Sequence, residues 1–418
     1  MSTEITKSIG AKDKQILRDL AKQVAEIAAQ PVQKERIKNW TALNSLKPNR
    51  PMVFADPQNG WGELTPTNPC QCEHPSVSHW EWNLRASLIR NQLIKDDAPI
   101  INILDVNWDI KITGFGLAET QHRTGFEGGS YRWEAPIKTA DDMKKLTFQE
   151  FDVDRESTEA TYCLAQEIFG DILNVRKVGV NFFRFGLTRV LIHLRGLDQM
   201  MIDMYEEPEL LHDLMAFLRD NHTHFMDFCE RENVLSLNNG PEMINGSGGN
   251  AVNTDLPASD FNGTVRLKDM FCWGESQETV GVGPKQFDEF VLAYQLPLMK
   301  RFGLVDYGCC EPVDNKIDLI IAKVPQLRWV SVSPWANREM LAQKIGNKFV
   351  YVYKPNPSRI CSPTPDWKAA EEEVRETLRI AKGCNVSLIM KDTSTFHHQP
   401  DRITRWSDMA RRICEESV

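Results

Sequence analysis

Apolar residues recur along the chain in two patterns. Over residues 11–30, Ile16, Leu20, Val24 and Ile27 fall on one stripe at helical spacing and predict an amphipathic helix lying on the outside of the main domain. Nine short β-rich runs come after it: PMVF from Pro51, IINILDV from Ile100, KVGVNFF from Lys177, VLSLNN from Val234, MFCWGES from Met270, LVDYGCC from Leu304, LRWVSVS from Leu327, KFVYVY from Lys348 and VSLIM from Val386. Most are continuously apolar rather than alternating, which predicts strands covered on both faces and therefore parallel. Helical segments fill the later gaps: 207–231, with Leu210, Leu211, Leu214 and Phe217 on one face, then 284–302, 313–323, 336–346, 364–382 and 399–413. This strand–helix rhythm predicts a closed (β/α)8 TIM barrel, one α/β domain over 49–418 preceded by an N-terminal helical arm over 1–48, with one of the nine runs an excursion. Residues 56–99, 107–140 and 238–269 break the rhythm and are expected as long βα loops at the strand C-termini, where a barrel builds its site.

Composition narrows the partners. Forty-nine Lys and Arg against 58 Asp and Glu give a net charge of −9, which supplies no basic stripe for a phosphate backbone and excludes nucleic acid. The first residues are polar and mixed in charge, and no apolar run approaches a membrane span, so a cytoplasmic protein acting on a small molecule is expected, with an oligomer possible. In that compartment the ten cysteines are read as thiols.

Reactive groups cluster where strands end. In VDYGCCEPVD, Cys309, Cys310 and Glu311 come after a strand and precede a predicted helix, whose N-terminal dipole favours the thiolate for metal ligation or nucleophilic attack. In MFCWGESQE, the alternation of side chains projects Glu275 and Gln277 together, a carboxylate for acid/base work beside an orienting amide, next to Trp273. The last strand delivers Lys391 and Asp392, then His397 and His398, each a metal ligand or proton carrier. Asp105 ends the second run as an anionic partner for a polar substrate group, and Lys354 ends the eighth as a cation; Asn239 joins Lys354 as a substrate contact. Trp61, Trp108, Trp133, Trp273 and Trp335 lie in or beside the loops with Phe115, Phe126 and Tyr131, the material of an aromatic wall for a planar or methylated ligand or of loop packing. Three other clusters lack the spacing their chemistry needs. CQCEHPSVSH from Cys70 has no structural zinc pattern, His222 and His224 are two apart on a helix and diverge, and GSGG from Gly246 has neither the strand nor the helix of a phosphate loop.

With these elements placed, the chain from about Trp40 onward resembles the uroporphyrinogen decarboxylase superfamily, in RPMVF, NILDV, the LRGLDQMMIDMYEEPELLHDLM segment, WGESQETVGVGPKQFDEFVLAYQLPL, YGCCEP, VSVSPW and KPNPS. The resemblance implies a (β/α)8 barrel and either of two chemistries: metal-free decarboxylation of a porphyrin precursor, or zinc-dependent methyl transfer to or from a corrinoid or a thiol. The arginine-bearing loop of the decarboxylases is replaced here by FADPQNG, and their last-strand Gly-His-Gly by Lys391, Asp392 and Thr393; only Asp105 matches, as their pyrrole-binding aspartate. The zinc-holding His-x-Cys of the methyltransferases is represented by Tyr307 and Cys309, and the later ligand by Phe396, His397 or His398. The resemblance therefore implies a methyltransferase-like enzyme, with zinc held by a set drawn from Cys309, Cys310, Glu311, His397 and His398, and a corrinoid carried by a partner protein. The alternatives are a metal-free lyase that decarboxylates a small acid, using Asp105 with Lys354 or Lys391, and a non-catalytic ligand-binding barrel.

Overall fold

The computed structural model describes residues 9–123, 125, 130–324 and 326–417. Phe126 and the polar residues 1–8 lie outside that set. The strands are β1 (Met52–Ala55), β2 (Ile103–Asn107), β3 (Asp109–Ile112), β4 (Thr120–Arg123), β5 (Tyr131–Glu134), β6 (Phe151–Asp154), β7 (Asn174–Val178), β8 (Arg184–Phe185), β9 (Phe271–Gly274), β10 (Leu304–Tyr307), β11 (Leu327–Val332), β12 (Val350–Tyr353) and β13 (Asn385–Met390). A parallel sheet runs β1-β13-β12-β11-β10-β9-β8, a separate parallel pair joins β2 to β7, and β3·β6 and β4·β5 form small antiparallel pairs.

The central strands are buried along their whole length, as their continuous apolar character requires. Val53, Val305, Val330, Tyr351 and Leu388 face a shell of helices. Met52, Phe271, Trp329, Val352 and Ile389 face inward, onto Trp40 and Leu43 of the helix Pro31–Asn44 and onto Ala251 and Val252. The amphipathic helix Ala11–Ala28 packs by Leu17, Leu20 and Val24 on the helices Ser78–Ile89 and Arg155–Phe169.

The hydrogen-bonded ladder does not close into the expected barrel among the described residues, and side chains account for both seams. At the outer edge of β1, Asp97 accepts from the Val53 N–H at 2.9 Å and Asp96 from the Ala55 N–H at 2.8 Å, so carboxylates occupy the edge that β2 would have paired. Arg50 grips Asp97 through two bonds of 2.8 Å, and Arg90 pairs with Asp96, which compensates the two buried charges. At the other seam, the run from Val234 forms only a bridge between Leu235 and Val180. Beyond it the Asn238 side-chain amide replaces a strand: it donates to Phe271 O at 2.8 Å and accepts from Phe271 N–H at 3.0 Å.

The segment 238–256 also departs from expectation. Instead of standing at the rim, it packs on the concave face of the sheet. Gly246 lies so close to Trp273 that a Cβ would meet the ring at 2.0 Å, and at Gly248, with φ +102°, a Cβ would meet Ile389 at 2.4 Å. The run GSGG thus has a packing role: glycine alone permits this backbone to approach the strands.

Candidate functional site

The C-terminal ends of β9 to β13 bring together Glu275, Cys309, Lys354, Lys391 and Asp392. Cys309 and Cys310 sit just past a turn at Gly308, which adopts φ +94° and whose N–H donates to Gly274 O at 2.8 Å. The two sulfurs are 3.5 Å apart. Cys309 is 4% exposed, while Cys310 is half-buried with its single S–H in reach of two acceptors, the Cys309 sulfur and, at 2.8 Å, the exposed carboxylate of Asp392, of which it serves one at a time. The buried Lys354 ammonium donates to Cys309 O and to Ser331 Oγ, fixing the turn from below.

This setting separates the two thiols in acidity. A hydrogen bond from Cys310 lowers Cys309 below the ordinary thiol value against the opposing effect of burial, with further help from the positive charges of Lys354 and Lys391. Cys310 moves the other way, held up by its bond to Cys309 and by burial. The expected helix dipole plays no part in this, because the next helix begins only at Ile317. The second thiol and, after it, the neighbouring lysines favour the thiolate, not a helix terminus.

Glu275 is fully buried. Its Oε1 accepts from Arg184 Nε and Nη2 at 2.9 and 2.7 Å, and its Oε2 from the Gln277 side-chain amide at 3.2 Å, so the expected Glu275–Gln277 pairing is present with an arginine added. Arg184 also lies over the Trp273 ring at 4.8 Å, and Lys391 over the same ring at 5.5 Å. Below them Asp306, also fully buried, is raised to about 7 by burial. Arg184, Asp306, Ser331 and Ser247 escaped the sequence reading; the available signal was a polar residue inside an otherwise apolar run, in NFFRFG and in LVDY.

Other expected residues lie elsewhere. Glu311 is buried with its carboxylate closed by two amides, Ser276 N–H and Cys309 N–H, each at 2.9 Å, and burial raises it to about 7. His397 is bonded through Nε2 to Cys361 O at 2.9 Å, and the His398 N–H donates to Glu63 at 2.6 Å. Both histidines adopt left-handed φ, in a turn held by the Glu63 carboxylate rather than by the cysteines. Among the described residues no three of His, Cys, Asp and Glu gather in a metal-ligating arrangement, so these side chains do not fit the zinc set that the resemblance implies. Asn239 donates to Asn253 O and Leu256 O and holds the inserted segment. Trp108 sits between Arg155 and Lys177, Trp133 is bonded to Ile192 O and stacks near His193, Phe115 packs on Phe217, and Trp335 is 66% exposed.

A cavity of about 690 Å³ opens in the seam between β1 and β2, lined by Asp56, Trp61, Trp82, Asp105 and Glu242 among others. Asp105 there is clasped by Arg176, Nε to Oδ1 at 2.6 Å and Nη2 to Oδ2 at 3.1 Å. Both of its oxygens are engaged on this wall, which leaves the decarboxylase-like role without a supporting contact. Residues 241–250 divide the cavity from the thiols: Glu242 and Ile244 line the cavity, while Gly246 O accepts from Lys391 and Ser247 bonds Asp306.

No family profile and no curated protein matches this chain. Among solved structures, a methyltransferase from Methanosarcina mazei aligns with a TM-score of 0.47 at 11% identity, over 89% of this chain and 98% of that one. No helix among the described residues is long and apolar enough to cross a membrane.

Proposed function

We propose that the protein is a methyltransferase whose reactive centre is the Cys309/Cys310 pair. The observation that carries this reading is the pair itself: two sulfurs 3.5 Å apart at the C-terminal edge of a parallel sheet, with Lys354 and Lys391 placed to favour the thiolate of Cys309. A thiolate so placed is a nucleophile at neutral pH. In the proposed step the Cys309 thiolate attacks the methyl carbon of a small methylated substrate. An S–C bond forms, the bond from methyl to its nitrogen, oxygen or sulfur breaks, and the leaving atom keeps the electron pair; an amine leaves an ammonium donor already neutral, while an oxygen or sulfur leaving group takes its proton from solvent. The Cys310 sulfur lies 3.5 Å from the thiolate, and its S–H orients the thiolate when it turns from Asp392 to Cys309. A second transfer passes the methyl group to an acceptor thiol or to a corrinoid on a partner protein. The resemblance in YGCCEP and the neighbouring segments supports the same assignment.

The test is transfer from 13C-methyl-labelled amines, ethers and thioethers to cob(I)alamin or to a free thiol, followed by the methylcobalamin spectrum and by a 15 Da gain on the Cys309 peptide, about the mass of one labelled methyl replacing a proton. Transfer that disappears in Cys309→Ser supports the proposal. Transfer undiminished in that variant, or none across the panel with either acceptor, overturns it.

A further inference from the structure

We propose that the cavity between β1 and β2 is a binding site for a small methylated ammonium ion; this deepens the methyltransferase reading by naming the donor class. The argument begins with charge. Arg176 is shared by two carboxylates, Asp105 and Glu242 Oε1, so the three groups together keep one negative charge. Glu242 Oε2 is enclosed by protein and has no hydrogen-bond partner among the described residues. Asp56, also on the cavity wall, forms no ion pair among those residues; one of its oxygens accepts from the Gln58 N–H at 3.1 Å. The one arginine on the wall, Arg90, is already matched by Asp96. A cavity of about 690 Å³ therefore carries an excess of two negative charges. Uncompensated charge of one sign on a cavity wall is costly, and a cation in the cavity answers it.

The rest of the wall selects the kind of cation. Trp61 and Trp82 meet edge to face with centroids 5.5 Å apart, and Trp82 stays 40% exposed. Aromatic faces beside carboxylates hold alkylated ammonium groups, whose diffuse charge sheds water easily, in preference to a strongly hydrated metal ion or primary amine. On the side away from the cavity, residues 241–250 contact Lys391 and Asp306 beside the thiols, so displacement of this segment would join the cavity to the cysteines.

Calorimetry and tryptophan fluorescence on the full chain, with choline, trimethylammonium and the neutral choline isostere 3,3-dimethylbutan-1-ol, test the site. Choline or trimethylammonium is expected to bind at least about tenfold more tightly than the isostere, and Glu242→Gln and Asp56→Asn are each expected to weaken it by about tenfold, with circular dichroism confirming that they fold. Equal binding of the neutral isostere, or no saturable binding of either cation, overturns the site, as does unchanged affinity in both folded variants. The measurement needs no turnover. Cation binding without methyl transfer refutes the reaction and keeps the site; transfer without cation binding does the reverse.

Discussion

Ser247 meets Asp306 with both of its donors: the backbone N–H reaches Oδ2 and the hydroxyl reaches Oδ1, each at 2.6 Å. The bonds span 59 residues and fasten the inserted segment to the concave face of the sheet. The same carboxyl is fully buried, and burial raises it from 3.8 to about 7 although Ser247 and the two lysines pull it down. Glu311 rises from 4.5 to about 7 for the same first reason.

These two acids make stability depend on pH. Each has a folded value above its unfolded one, so the folded state holds the proton more tightly. Their contribution is intact below about pH 4 and is lost as pH rises to about 7. Asp306→Asn removes one titration and is expected to flatten this slope and to stabilise the protein above pH 7. Urea midpoints at pH 5 and pH 8 decide the matter: a variant with the wild-type slope refutes the assignment.

The acidity of Cys309 depends first on Cys310 and then on Lys354 and Lys391. Alkylation of Cys309 by iodoacetamide, monitored by peptide mass spectrometry across pH, is expected to show a midpoint below that of an ordinary cysteine. Cys310→Ala moves that midpoint upward and slows the reaction at pH 7 by at least about tenfold, because less thiolate is present. Lys354→Met shifts it in the same direction. An unmoved midpoint in Cys310→Ala would show that the sulfur–sulfur hydrogen bond does not control the thiolate.

Much of the fold was legible because it is written in local pattern. Eight of the nine apolar runs contain strands of the structure, and the helices at 208–231 and 401–416 begin within two residues of their predicted starts. Closure was not legible, since Asp96, Asp97 and Asn238 put side-chain oxygens and an amide where a ladder was expected, and no periodicity reports such substitution. The thiol pair was visible as neighbouring residues after a strand. Its surroundings were not: Arg184 lies 91 residues from Glu275 and Lys354 lies 45 from Cys309, so only the folded chain juxtaposes them. Histidines 397 and 398, close to the last strand in sequence, are carried off by a turn with left-handed backbone.

The glycines of the inserted segment give a stability prediction with its own control. Gly248 and Gly263 share φ +102°, but a Cβ at Gly248 would strike Ile389 at 2.4 Å whereas nothing lies within 4 Å at Gly263. Gly263→Ala should therefore cost about 1 kcal/mol from backbone conformation alone. Gly248→Ala adds the clash and should cost about 3 kcal/mol or more. Equal losses in urea denaturation would mean that the segment is not pressed against β13.

Arg184 and Glu275 make an asymmetric pair, and the asymmetry is measurable. The carboxylate is 0% exposed while the arginine side chain keeps 30% of its surface in water. Removing the arginine strands a buried charge whose remaining donors are the side-chain and backbone N–H groups of Gln277, at 3.2 and 3.3 Å, so Arg184→Met is expected to cost about 3–5 kcal/mol. Glu275→Gln keeps the shape and an acceptor and leaves a guanidinium that water still reaches, so its loss should be about 1–2 kcal/mol. Combining the two removes the stranded charge, and the double variant should be more stable than Arg184→Met alone. A double variant that loses the full sum of both single losses would show that the ion pair is not what holds Glu275 at the end of β9.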